Sequence, residues 1–334
     1  MQALMTGVIA AAATPLSAEG RIDATRLVGH CRRLLEIGCD GINLLGTTGE
    51  ATSLSVEERL GAMAAVARAG LPLGRFMVGT GAAALADAVR LTARARELGF
   101  AGALLLPPFY YKGIDTDGLV RYVEAVIEGA GAGGFRLYLY HFPQLSGVPY
   151  TIEAIGRLRD RHAATVVGLK DSSGDLGHSA EIARRFPGFD VFPSAEGALR
   201  DAARDGFAGC ISATVNVTAP FAGRAWRGRN AAAEADPLAR AVAIRAALST
   251  VPLVAAVKWA LRDLLGDPAW DVLVPPLRPL ADGERAALAA ALAQTSYAEL
   301  RKAFPEGKPA LMRSADAAAG EDGAKRMSRK RRDP

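Results

Sequence analysis

Eight short apolar runs, each followed by a stretch with helical spacing, recur along the first two-thirds of the chain, and this alternation restricts the fold more than any other feature. The runs are GVIAAAATPL (7–16), GINLLG (41–46), RFMVGTG (75–81), GALLLPPFY (102–110), RLYLYHFP (136–143), VVGLKDSS (166–173), FDVFPSAEG (189–197) and AGCISATVN (208–216). Most are continuously apolar, as parallel strands covered on both faces are. Helical spacing follows in Asp23–Ile37, Leu85–Leu98 and Asp117–Glu128, and Ser55-Val-Glu-Glu58 is a capping-box signature for a helix after the second run. Eight evenly spaced strand–helix units predict an α/β fold, a (β/α)8 TIM barrel; a doubly wound open sheet is the alternative. Beyond residue 220 the pattern changes to Ala-rich helical segments without strands: Asp236–Ser249, Leu253–Leu265 and Asp282–Gln294. The expected organisation is a barrel over 1–222, a C-terminal helical segment over 223–304 and a disordered basic tail over 305–334. The tail reads as a solvated end, with a polybasic interaction arm as the other reading.

Composition narrows the function classes. Half of the 334 residues are hydrophobic and 22% are charged, enough for a large core. The net charge is +5, but residues 306–334 alone carry +3, so nucleic-acid binding by the body has little electrostatic support. Cys31, Cys39 and Cys210 form no CxxC pair, and the four histidines make no ligand pair, so neither a metal nor another cofactor is expected. The cysteine usage suggests a reducing compartment. Met1–Leu16 lacks a basic start and ends in Thr-Pro, so it reads as a first strand rather than an export signal. No apolar run reaches the ~18 residues of a membrane span. A cytoplasmic protein without a membrane partner is expected.

Barrel enzymes place reacting groups at the C-terminal ends of their strands. The second run ends in GTTGEATS (46–53), where glycines flank Thr47 and Thr48. Such a turn can aim backbone N–H groups and two hydroxyls at a small carboxylate, although a Gly-rich helix cap looks the same. The fifth run places Tyr138 and Tyr140 on one face and His141 on the other; Tyr140 relays protons or simply packs. The sixth carries Lys170, which is either a strand-end lysine paired with Asp171 or Asp175 or an amine pointing into the barrel with Gly168 and Ser172. A desolvated, neutral amine is what imine formation requires. Together the cradle, phenol and amine suit a 2-oxo acid whose ketone condenses with the lysine.

The stretches GTTGEATSLS (46–55), PPFYY (107–111), YHFPQLSG (140–147), GLKDSSGD (168–175) and GCISATVN (209–216) resemble, in combination and order, the dihydrodipicolinate synthase / N-acetylneuraminate lyase family of Schiff-base-forming aldolases. The resemblance covers about residues 5–300. It implies a barrel with a C-terminal helical segment, assembled as a homotetramer of two tight dimers. It implies Lys170 as the imine-forming lysine and Tyr140 as the proton-relaying tyrosine. Thr47 and Thr48 would bind the carboxylate of pyruvate and link the tyrosine into a relay. Tyr110 would reach into the neighbouring site across the tight dimer, and the Ile211 carbonyl would face the site.

The departures bear on substrate. Leu145 stands where the synthases carry an arginine for the second substrate's carboxylate, so that cation would have to come from elsewhere, such as Arg245 or Arg262. Glu196-Gly197 and Ala213 stand where the lyases carry the Asp-Glu pair and serine that bind sugar hydroxyls, and His141 replaces an asparagine common to both branches. The expected function is a lyase that cleaves or condenses a 2-oxo acid with imine-bound pyruvate, on a 2-keto-3-deoxy sugar acid or similar, with Leu145 and Glu196 among the substrate-binding positions. A dihydrodipicolinate-type synthase, a deoxy sugar acid dehydratase and a non-catalytic 2-oxo acid sensor are the alternatives.

Overall fold

The computed structural model describes residues 5–228 and 236–304. The eight runs form eight parallel strands: β1 (Gly7–Ala11), β2 (Gly41–Leu44), β3 (Phe76–Gly79), β4 (Gly102–Leu105), β5 (Leu137–His141), β6 (Val166–Asp171), β7 (Asp190–Pro193) and β8 (Gly209–Ser212). They are hydrogen-bonded in the order 7-6-5-4-3-2-1-8. The seam between β7 and β8 is bridged where the Ala208 N–H donates to the Val191 carbonyl at 2.9 Å. The result is a nearly closed (β/α)8 barrel with a C-terminal helical part, not an open doubly wound sheet. Each strand is shorter than its apolar run. The last residues of a run leave the ladder and become the loops over the C-terminal end, as at Pro143, which has no N–H to give.

Side chains divide between two apolar layers because successive strand residues face opposite ways. Val8, Ile42, Val78, Leu105, Leu139 and Leu169 face the helices, while Ile9, Met77, Leu104, Tyr138, Phe192 and Ile211 fill the barrel. Ser55 and Glu58 make the reciprocal capping box of helix Val56–Arg68. Helix Val215–Arg227 runs past residue 222, where the pattern places the change from barrel to helical segment. The helices Asp236–Leu248, Leu253–Leu265 and Asp282–Ala293 follow it. No single described helix is long and apolar enough to cross a membrane. Cys31, Cys39 and Cys210 are buried and free. The tail at 305–334 lies outside the described residues.

One irregularity in the barrel positions the site. Leu137 pairs with Val166, but Tyr138 pairs with Gly168, so β6 carries an extra residue at Val167. The bulge turns Gly168 and then Lys170 inward and sets Lys170 beside Tyr140. Gly168 is required there: a Cβ would lie 2.6 Å from the Tyr138 ring, which occupies the space instead.

His30 couples this fold to pH. It is buried on helix Ala24–Ile37, and its Nε2–H donates to Asn216 Oδ1 at 2.8 Å, which also accepts the Ala13 N–H at 3.0 Å. Burial pushes its pKa down to about 4, against the Asn216 hydrogen bond and with a further push from Arg33. The unfolded chain therefore binds a proton that the folded chain refuses. This stability is fully present above the unfolded pKa of ~6.5 and falls as pH drops toward 4, by on the order of 3 kcal/mol from this residue. Denaturant titrations from pH 7 to 4.5 should show that His30→Gln flattens the pH dependence; a slope equal to wild type would contradict it.

Candidate active site

A cavity of about 520 Å3 opens at the C-terminal ends of the strands. β2 delivers the turn Gly46-Thr47-Thr48-Gly49 to its edge. Leu45 and Glu50, on either side, take positive φ of 56° and 57°, a conformation that costs a non-glycine residue ~1–2 kcal/mol. The Gly49 and Ala51 N–H groups donate to the Gly46 carbonyl at 3.0 and 3.3 Å, and the Glu50 N–H donates to that of Thr47 at 3.0 Å. A side chain at Gly79 of β3 would meet the Leu45 carbonyl at 2.2 Å, so glycine there admits the turn. Among the described residues the Thr47 and Thr48 N–H groups donate to no protein group, which leaves two adjacent amides for an anion.

Glu50 holds this turn in place. Its buried carboxylate accepts from Lys258 Nζ at 2.5 Å and from the Val274 N–H at 2.8 Å. Lys258, on helix Leu253–Leu265, is also buried and donates as well to the Val272 carbonyl. Burial lowers the Lys258 pKa while Glu50 pulls it up. The pair and its backbone bonds fasten the C-terminal segment to the cradle.

Lys170 differs from Lys258 in its partners. It is 4% exposed, and its Nζ donates to Tyr140 Oη at 3.3 Å. Tyr140 Oη lies 3.2 Å from Thr47 Oγ1, so amine, phenol and hydroxyl stand in line. No carboxylate pairs with Lys170 among the described residues. Asp171 faces outward and accepts from the Ser173 N–H and the Ser179 hydroxyl, both at 2.8 Å. Asp175 caps helix Leu176–Arg185. Both carboxylates near the lysine in sequence are thus engaged elsewhere.

Lys170, Tyr140, Thr47, Thr48, Ile211 and Leu145 all line the cavity. Leu145 sits at its mouth, 61% exposed, on the single helical turn Pro143–Ser146. Tyr110 is not brought in: it is 74% exposed, edge-on to Tyr111, and touches no part of its own chain's cavity. Glu196, expected among the substrate-binding positions, is not brought to the cavity wall either. It is fully buried, and its carboxylate accepts from Ser212, Thr214 and Thr218 at 2.6–2.9 Å. Arg245 Nη1, 3.3 Å away, completes that network. His141 also faces away from the cavity, its Nδ1 accepting the Tyr150 N–H at 3.1 Å.

The sequence motifs do not reveal the opposite wall. Pro252–Ala255, Leu273, Pro276, Leu277 and Arg278 come from the C-terminal segment, and Ser194 from the end of β7. None of these carries a motif, and for those of the C-terminal segment only their distance beyond the last strand hints that they close the barrel mouth. Of the two arginines weighed as a cation source, Arg245 lines the cavity and Arg262 pairs with Asp271.

The barrel and the aligned lysine, phenol and hydroxyl point to the class of (β/α)8 lyases. The family follows from comparison with known proteins. Residues 4–295 match the model of the dihydrodipicolinate synthetase family, and the chain belongs to that family. It is a lyase of the aldolase kind. It is 35% identical over 287 residues to an uncharacterised DapA-like lyase of Chloroflexus aurantiacus, covering 85% of this chain and 95% of that one. It is 31% identical to 4-hydroxy-tetrahydrodipicolinate synthase of Neisseria meningitidis, covering 86% of this chain and 98% of that one. Among solved structures it resembles dihydrodipicolinate synthase from Agrobacterium tumefaciens, at 29% identity and TM-score 0.79, over 87% of this chain and 99% of that one. It also resembles YagE of Escherichia coli, solved in complex with pyruvate, at 26% identity and TM-score 0.78, with the same coverage.

Removing one partner of a buried ion pair leaves the other charge uncompensated, typically at ~3–5 kcal/mol. Lys258→Met should therefore lower the Tm by several degrees and raise KM for a 2-oxo acid, since Glu50 anchors the cradle. A Tm within about 1 °C of wild type, read by calorimetry, would contradict the anchoring role.

Proposed function

We propose that the chain is a class I aldolase that works through an imine between Lys170 and pyruvate. The observation that carries this reading is the buried, carboxylate-free lysine in hydrogen-bond contact with Tyr140, which is itself in contact with Thr47. The carboxylate of the 2-oxo acid rests on the Thr47 and Thr48 amides. Lys170 Nζ attacks the C2 carbonyl, Tyr140 protonates the departing oxygen, and water leaves. In the cleavage direction Tyr140 takes the C4 hydroxyl proton, the C3–C4 bond breaks, and its electron pair enters the protonated imine to give an enamine. The aldehyde leaves, the enamine is protonated at C3, and water releases pyruvate. Condensation runs the same steps backwards. Thr47 passes the proton onward from Tyr140. A binding protein has no use for such an amine and relay, which weighs against the sensor alternative.

The assembly proposed is a homotetramer of tight dimers in the cytoplasm. The exposed Tyr110–Tyr111 pair supports it as a dimer contact. Lys112 joins their loop to Leu145's turn by donating to the Phe109 carbonyl and, at 2.6 Å, to that of Ser146. The surface beside the cavity mouth is thus an aromatic patch of the kind that enters interfaces.

Borohydride reduction in the presence of pyruvate should leave one adduct, mapped by peptide mass spectrometry to Lys170. An adduct on Lys112 or Lys258 instead, or none, refutes the imine. Tyr140→Phe should still form the adduct but lose ~10²–10⁴-fold in kcat, the usual worth of a general acid–base group. A kcat within about threefold of wild type would reduce Tyr140 to packing.

A further inference from the structure

With the pyruvyl end assigned to Lys170, Tyr140, Thr47 and Thr48, the rest of the cavity must hold the aldehyde that pyruvate joins or releases, so the nature of that aldehyde rests on the imine assignment. The walls available to it are apolar. Phe142 and Leu145 stand on one side, Ala213 beyond β8 on another, and Leu253, Leu273 and Leu277 of the C-terminal segment opposite. Glu196-Gly197 and Ala213, the positions that the sequence offers for binding a sugar's hydroxyls, are spent, and Gly197 has no side chain to give. Ala213 presents a methyl group, and Glu196 is drawn beneath the wall by three hydroxyls and Arg245.

The polar side chains that remain do not replace them. Ser172 and Ser194 lie two residues beyond Lys170 and Phe192, which are register partners on neighbouring strands, so they stand together on one wall and offer two hydroxyls only. Arg245 commits Nη1 to Glu196, Ser212 and Thr214, and the buried carboxylate neutralises its charge. Arg278 is 60% exposed and holds Glu284 through both terminal nitrogens at 2.7 and 2.9 Å. A polyhydroxylated acceptor would bury more hydroxyls than two serines can pair, and an anionic one would meet only arginines already paired with Glu196 and Glu284; both are costly.

We propose that the acceptor aldehyde has an apolar body, aryl or branched alkyl, in place of the sugar-acid chain expected from sequence. The enamine carbon of pyruvate bonds to the aldehyde carbon, the aldehyde oxygen takes a proton, and water cleaves the imine. Pyruvate and R–CHO thus give R–CH(OH)–CH2–CO–COO−, with no atom gained or lost.

The test uses the full chain with pyruvate and four aldehydes: benzaldehyde, 3-methylbutanal, glyceraldehyde and succinic semialdehyde. The readout is kcat/KM for formation of the 4-hydroxy-2-oxo acid by mass spectrometry. At least one apolar aldehyde should exceed both polar ones by tenfold or more, within the range that apolar pockets reach. Leu277→Gln, at a partly exposed position where folding is tolerant, should reduce that advantage several-fold. Borohydride trapping on the same preparation separates the two claims. If Lys170 is trapped but glyceraldehyde or succinic semialdehyde does as well, or if no aldehyde reacts, the acceptor assignment fails alone. If Lys170 is not trapped, the imine reading fails and the acceptor assignment falls with it.

Discussion

The site depends on the register of β5 against β6. Parallel partners point to the same side of a sheet, so the pairing of Tyr140 with Lys170 puts phenol and amine side by side inside the barrel. A slip of one residue would present Leu169 instead and send the amine among the helices. The bulge at Val167 fixes the phase, and Gly168 makes room beneath it for the Tyr138 ring, which packs edge-on against Phe192 at 6.0 Å. The large side chains below Lys170 therefore form its floor as well as the barrel core. An amine on that floor has few partners to choose from, and the nearest is the phenol.

The C-terminal helical segment is the second constraint, because the barrel alone leaves the mouth open. It fastens at two buried carboxylates. Glu50 ties the cradle turn to Lys258 and the Val274 amide, and Glu196 ties the ends of β7 and β8 to Arg245. Each carboxylate is satisfied by several donors, as a buried charge must be. Each anchor pairs its own two charges, and most of the side chains that the segment turns to the cavity are apolar. The same contacts that seal the site thus set what it accepts.

The fold was legible from the sequence because a parallel strand buried on both faces leaves a continuous apolar run, and eight of these alternate with helical spacing. Lys170, Tyr140, Thr47 and Thr48 could be singled out because strand ends carry chemistry in a barrel, and all four line one cavity. What stayed hidden has physical reasons too. Strict alternation from Val166 would turn Lys170 outward, and the bulge that reverses the phase has no residue signature. Glu196 looked like a ligand because it follows β7, yet its fate rests on Thr214, Thr218 and Arg245, which lie 18, 22 and 49 residues away. Glu50 sits inside the GTTGEATS motif, but its partner Lys258 is 208 residues distant. Tyr110 packs edge-on against Tyr111 and stays outside its own chain's cavity, which its place in the PPFYY stretch does not disclose.

The central claim is that Lys170 holds pyruvate with its carboxylate on the Thr47–Thr48 turn. A crystal structure of the protein soaked with pyruvate and reduced in place tests it most directly. Continuous density should run from Lys170 Nζ to C2, with the carboxylate ~3 Å from both threonine amides. Density attached to another lysine, or a carboxylate turned toward Arg245 and away from the turn, would contradict it.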